Sequence, residues 1–63
     1  MDEFEQLLLE TLRARPGMNR ERLAGLMNMT SDDAFREKLS DAIDKDIIHK
    51  IQDKYFPGTR KSY

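Results

Sequence analysis

The residues most capable of chemistry in this 63-residue chain are the cations of its last third. Lys50, Lys54, Arg60 and Lys61 stand against the single acid Asp53, a net of +3, and Tyr55 and Tyr63 are interleaved with them. Ammonium and guanidinium groups beside aromatic rings suit contact with phosphate and stacking on flat heterocycles. The preceding stretch has the opposite character. From Asp32 to Asp46 there are six carboxylates (Asp32, Asp33, Glu37, Asp41, Asp44, Asp46) and three bases (Arg36, Lys38, Lys45), a net of −3. Such a run is also what an ordinary solvated helix face looks like.

Other chemistries lack their parts. There is no cysteine, so neither a disulfide nor a thiolate metal site can form. One histidine, His49, cannot assemble a metal cluster alone. No serine stands at the spacing of a nucleophile motif, and the glycines at 17, 25 and 58 are too scattered for a phosphate-cradling loop. "DAIDKD" lacks the glycine and closing glutamate of a calcium loop. The expectation is a protein that is not an enzyme and has no cofactor, catalytic residue, metal site or small-molecule substrate.

Overall charge is nearly balanced, with eleven basic and twelve acidic residues and a net of −1. That is not the profile of a strongly basic nucleic-acid binder. The N-terminus, "MDEFEQLLLE", is acidic where a secretory leader is basic. The longest aliphatic run, Leu7 to Leu9, is far too short to span a bilayer. A cytoplasmic location without a membrane partner is expected. A chain this short buries only about 60% of its unfolded surface, so its stability is marginal.

Hydrophobic spacing supplies the elements that must position these groups. Phe4, Leu8 and Leu12 repeat every four residues, predicting a helix over 2–14 that Pro16-Gly17 stops. Leu23, Ala24, Leu26 and Met27 give a short second helix over 20–27, with Asn19 as N-cap and Asn28 as the turn residue. Phe35, Leu39, Ala42 and Ile43 form the inward stripe of a third helix over 32–45, capped by Thr30 or Ser31, with Asp32 and Asp33 also readable as cap and dipole residues. Beyond Asp46, the β-branched and aromatic residues Ile47, Ile48, Ile51, Tyr55 and Phe56 favour strands. Either Gln52-Asp53 or Pro57-Gly58 can be the tip of a hairpin. Residues 1–58 are read as one domain, mainly α with a small β-hairpin, and 59–63 as a polar tail.

This order resembles the winged helix-turn-helix superfamily. "RLAGLMNMTSDDAFREKL" is similar to its helix-turn-helix unit, with Ala24 allowing close helix approach, Asn28 in place of the usual turn glycine and Met29 plugging the core. "LSDAIDKDII" is similar to the end of a recognition helix running into the first wing strand, with Asp46 where many members have glycine; "HKIQDKYFPG" looks like the wing. The resemblance implies a partner in duplex DNA, with the third helix in the major groove and the wing on phosphate. It maps groove contacts onto Ser31, Asp32, Asp33, Arg36 and Ser40. Wing and tail contacts fall on Lys50, Lys54, Arg60 and Lys61, and further phosphate contacts on Arg20 and Arg22. A regulator of transcription or replication type, acting as a dimer, is the expectation.

The acidic third helix keeps a second class open, a winged helix that binds protein. Its partner would be a basic protein or a second copy of the chain. Leu7, Leu9, Met18 and Leu26 are the apolar surplus that would form such an interface, since one small core need not hold them all.

Overall fold

A computed structural model describes residues 2–58. The tail at 59–63, with Arg60 and Lys61, lies outside the described residues. The chain forms α1 (Glu3–Ala14), α2 (Arg20–Leu26), α3 (Asp33–Asp44), β1 (Ile48–Ile51) and β2 (Lys54–Pro57). The two strands pair antiparallel with Lys50 opposite Tyr55 and His49 opposite Phe56. This is a mainly helical domain with a hairpin, in a layout compatible with a winged helix.

Each helix begins on a side-chain cap. Asp2 and Glu5 form a reciprocal capping box at α1: Glu5 N–H donates to Asp2 Oδ1 (2.8 Å) and Asp2 N–H to Glu5 Oε1 (3.1 Å). Asn19 caps α2. At α3 the cap is Asp32, whose Oδ1 accepts from Phe35 N–H at 3.0 Å. The expectation of Thr30 or Ser31 is therefore corrected. Asp32 holds the extended backbone of a cap (φ −111°, ψ −172°), and the Ser31 hydroxyl is engaged elsewhere.

Two helices end on the same device. Asn28 follows α2 at φ 58°, and Asp46 follows α3 at φ 61°. After α2, Met29 N–H reaches Ala24 O (2.8 Å) and Asn28 N–H reaches Gly25 O (3.1 Å). After α3, Ile47 N–H reaches Ala42 O and Asp46 N–H reaches Ile43 O, both at 3.0 Å. These are the paired bonds of the Schellman stop, with Asn and Asp in the left-handed position that glycine usually fills. Met29 and Ile47, the residues that follow, pack onto the core.

The hairpin tip is Gln52-Asp53, between the paired residues Ile51 and Lys54. Gln52 sits at φ 59°, a conformation that strains any residue with a Cβ. Gln52→Gly is expected to raise stability by about 1 kcal/mol, less the entropy that glycine adds to the unfolded chain. A urea titration checks this; an unchanged or lower midpoint would contradict it. Pro57 instead closes β2, and Gly58 N–H bonds to Ile47 O at 2.8 Å.

A bridge outside the hairpin ties it to the helices. Tyr55 N–H donates to Met18 O and Gly17 N–H to Tyr55 O, each at 2.8 Å. The core is Leu8, Leu9, Leu12, Met18, Leu23, Ala24, Met27, Phe35, Leu39, Ala42, Ile48 and Tyr55. Every helix and both strands contribute, so the hairpin is held by burial of Ile48 and Tyr55 rather than by its own pairing.

Two residues expected in an exposed apolar surplus are corrected by this packing. Leu9 (8% exposed) and Met18 (6%) lie in the core. Leu9 lies with Leu8 and Leu12 on the buried side of α1, a helix that packs against β2, and the backbone bridge to Tyr55 ties Met18 to the hairpin. Leu7 and Leu26 are exposed, joined by Ile51.

Candidate nucleic-acid interface

Arg20 is the first residue of α2, placed there because Asn19 Oδ1 caps the helix through Arg22 N–H (2.8 Å). Its Nε–H donates to the Ser31 hydroxyl at 3.1 Å, joining the start of α2 to the segment just before α3. Lys50 comes from β1. Tyr55 lies opposite it on β2, and alternation along the strands puts both on one face. The Lys50 ammonium stands 5.8 Å from the centre of the Tyr55 ring, within reach of a cation–π attraction. Burial pushes the Tyr55 hydroxyl pKa up, and the positive charge of Arg20 opposes part of that shift. An open groove of about 280 Å³ runs between the two elements, lined by Asn19, Arg20, Glu21, Lys50, Asp53 and Tyr55.

The acidic residues of α3 are sorted by the helix. Asp33, Arg36 and Ser40 are spaced i, i+3 and i+7, so they share one strip of its surface. Arg36 Nη2 meets Asp33 Oδ1 at 3.2 Å across exposed positions. Glu37 and Asp41 lie on the other flank. They line a separate groove of about 350 Å³ with Ala34 and Lys38 of α3 and with Asp2, Phe4 and Glu5 of α1 and its cap. Lys45 bonds both to Glu5 (3.0 Å) and to Asp41 (3.2 Å), and these carboxylates raise its pKa. Glu5 itself is buried. Two of the acids of α3, Glu37 and Asp41, are therefore turned towards α1.

Of the residues singled out in the sequence, Arg20, Ser31 and Lys50 are brought into one neighbourhood, with Asp32, Asp33 and Arg36 following directly at the start of α3. Arg22 and Lys54 are exposed on α2 and beside the hairpin tip, and Ser40 is exposed on α3. Arg60 and Lys61 lie outside the described residues.

The sequence marks Tyr55 as an aromatic among the cations, but not that its ring backs Lys50 from across the hairpin, nor that Ile51 is exposed. The alternation Ile48, Lys50 against His49, Ile51 carried that signal, had the tip been placed at Gln52. His49 stacks on Phe56 with ring centres 5.4 Å apart, and its Nδ1 lies 2.9 Å from Gly58 O. That geometry anchors the base of the hairpin.

Among the described residues, no group of three or more potential ligands could hold a metal, and no helix is long and apolar enough to cross a membrane. Compared with family models, curated proteins and solved structures, the chain has no significant match in any of the three.

Proposed function

We propose that this chain is a small winged-helix DNA-binding protein, a regulator of transcription or replication type acting in the cytoplasm. On this reading α3 enters the major groove and the hairpin lies on backbone phosphate. The observation that carries it is the meeting of Arg20, Ser31 and Lys50 beside the start of α3. Placing Glu37 and Asp41 on the flank facing α1 lowers the repulsion that an acidic third helix would otherwise present. The test is fluorescence anisotropy with a random 20-base-pair duplex at low salt. Non-specific binders register at dissociation constants of about 1–100 µM even at physiological salt. Silence at tens of micromolar in low salt would overturn the proposal.

One substitution separates the capping and interface roles of Asp32. Asparagine caps a helix as well as aspartate does. Asp32→Asn should leave stability within about 0.5 kcal/mol and tighten duplex binding about threefold by removing a charge that repels phosphate. Asp32→Ala should lose about 1 kcal/mol. Chemical denaturation and the anisotropy assay read the two effects. Weaker binding by the Asn variant would show that Asp32 contacts a base.

A second reading, association with protein, is supported by the exposed side chains Leu7, Leu26 and Ile51. Its simplest form is a homodimer, in keeping with the few base pairs that one module of this size can contact. Sedimentation of the pure chain addresses it, and a strict monomer at high concentration would count against that form.

A further inference from the structure

The bond between Arg20 and Ser31 assigns these residues different tasks. Arg20 is half-buried, and the hydroxyl oxygen of half-buried Ser31 takes its Nε–H at 3.1 Å. A contact at Nε fixes the plane of the guanidinium while leaving both terminal amino groups unused. Among the described residues neither makes a hydrogen bond or ion pair, although Glu21 and Asp53 line the same groove. Arg36 is different, since its terminal Nη2 is already held by Asp33. Arg22 is exposed, and only its backbone takes part in the cap of α2. Arg20 is thus a half-buried arginine held by its inner nitrogen, its fork free of partners among the described residues, the state suited to paired hydrogen bonds with a tetrahedral oxyanion. Lys50 lines the same groove, its position supported by the Tyr55 ring.

We propose that Ser31 is a positioning residue and not a base reader. It orients Arg20 so that the guanidinium fork, with the Lys50 ammonium, grips a single backbone phosphate of the duplex. This rests on the DNA-binding reading and makes it more specific: the groove takes a phosphodiester, and base contacts fall to Arg36 and Ser40 on α3.

Three measurements on the full chain test it. In the free protein, the Arg20 Nε–Hε proton should exchange with water more slowly than those of Arg13 and Arg22, and Ser31→Ala should abolish the difference. With fluorescein-labelled duplexes, Ser31→Ala should weaken binding about two- to tenfold, the cost of immobilising a long side chain on binding. That loss should be equal across duplexes of different sequence, and Ser31→Thr should restore affinity. In an Arg20→Ala background, Ser31→Ala should have no further effect. Unequal losses between sequences, additive losses in the double variant, or an Arg20 proton that exchanges like the others would each overturn the positioning role while leaving DNA binding intact. Failure of the wild-type chain to bind any duplex would overturn the DNA reading and this inference together.

Discussion

Phe35→Ala is expected to remove most or all of the stability of this domain. Phe35 is 1% exposed and is among the largest fully buried side chains. Its ring meets that of Phe4 edge to face at 6.1 Å, fastening α3 to the first turn of α1. The Lys38 ammonium covers the other ring of this pair, 5.0 Å from the Phe4 centre. Truncating a buried phenylalanine costs about 3–5 kcal/mol, transfer and cavity together. A domain of this length has roughly 3–9 kcal/mol in all, at typical values per residue. The two ranges overlap, so the variant should populate the unfolded state heavily at 25 °C. Far-UV circular dichroism against temperature reads the result. A cooperative transition within a few degrees of wild type would mean that the core closes around the gap, and would contradict this account of how α1 and α3 are joined.

The largest effect on function is expected from reversing the two groove cations together. Arg20→Glu with Lys50→Glu should weaken duplex binding on the order of a hundredfold, given about 1.5–3 kcal/mol for each hydrogen bond to a charged group. It should also flatten the log–log salt dependence by roughly 0.9, the share of the one phosphate that the two cations grip. Both side chains are polar at the groove, and neither belongs to the buried core, so the variant should keep a native melting profile. Arg13→Glu serves as control. It lies on α1 beside Gln6, Leu9 and Glu10, on a different surface from the groove, and should leave binding within about twofold, the screened effect of a distant charge. Equal losses from the control and the double variant would reduce the effect to net charge and remove the argument for a built site.

The elements were legible where one periodicity dominates. Leu8 and Leu12, and Phe35, Leu39 and Ala42, keep the spacing of a helix stripe and are all buried. Asn28 and Asp46 were legible as turn residues because short polar side chains tolerate positive φ, and both adopt it. The cap of α3 was not legible, because Thr30, Ser31 and Asp32 are all competent caps in a row. Asp32 takes the capping bond from Phe35 N–H, while the Ser31 hydroxyl accepts from Arg20 Nε–H, eleven residues away. Leu9 and Met18 were misjudged for a related reason. Burial depends on which element lies over a residue, and no local pattern shows that β2 returns to cover this side of the helices. The groove pairing of Arg20 with Lys50 has the same origin, since it joins the second helix to a strand through the return of the hairpin.

The bond from Lys45 to Glu5 closes a chain segment with a sequence separation of 40. A contact of such span forms only after the intervening helices have docked, because the entropy of loop closure must be met first. It therefore belongs to the downhill side of the folding barrier and acts as a latch on the finished molecule. Lys45→Met should leave the refolding limb of a chevron plot almost unchanged and steepen escape from the native basin, raising the unfolding rate. Such a bond acts on the lifetime of the native state more than on the speed of reaching it.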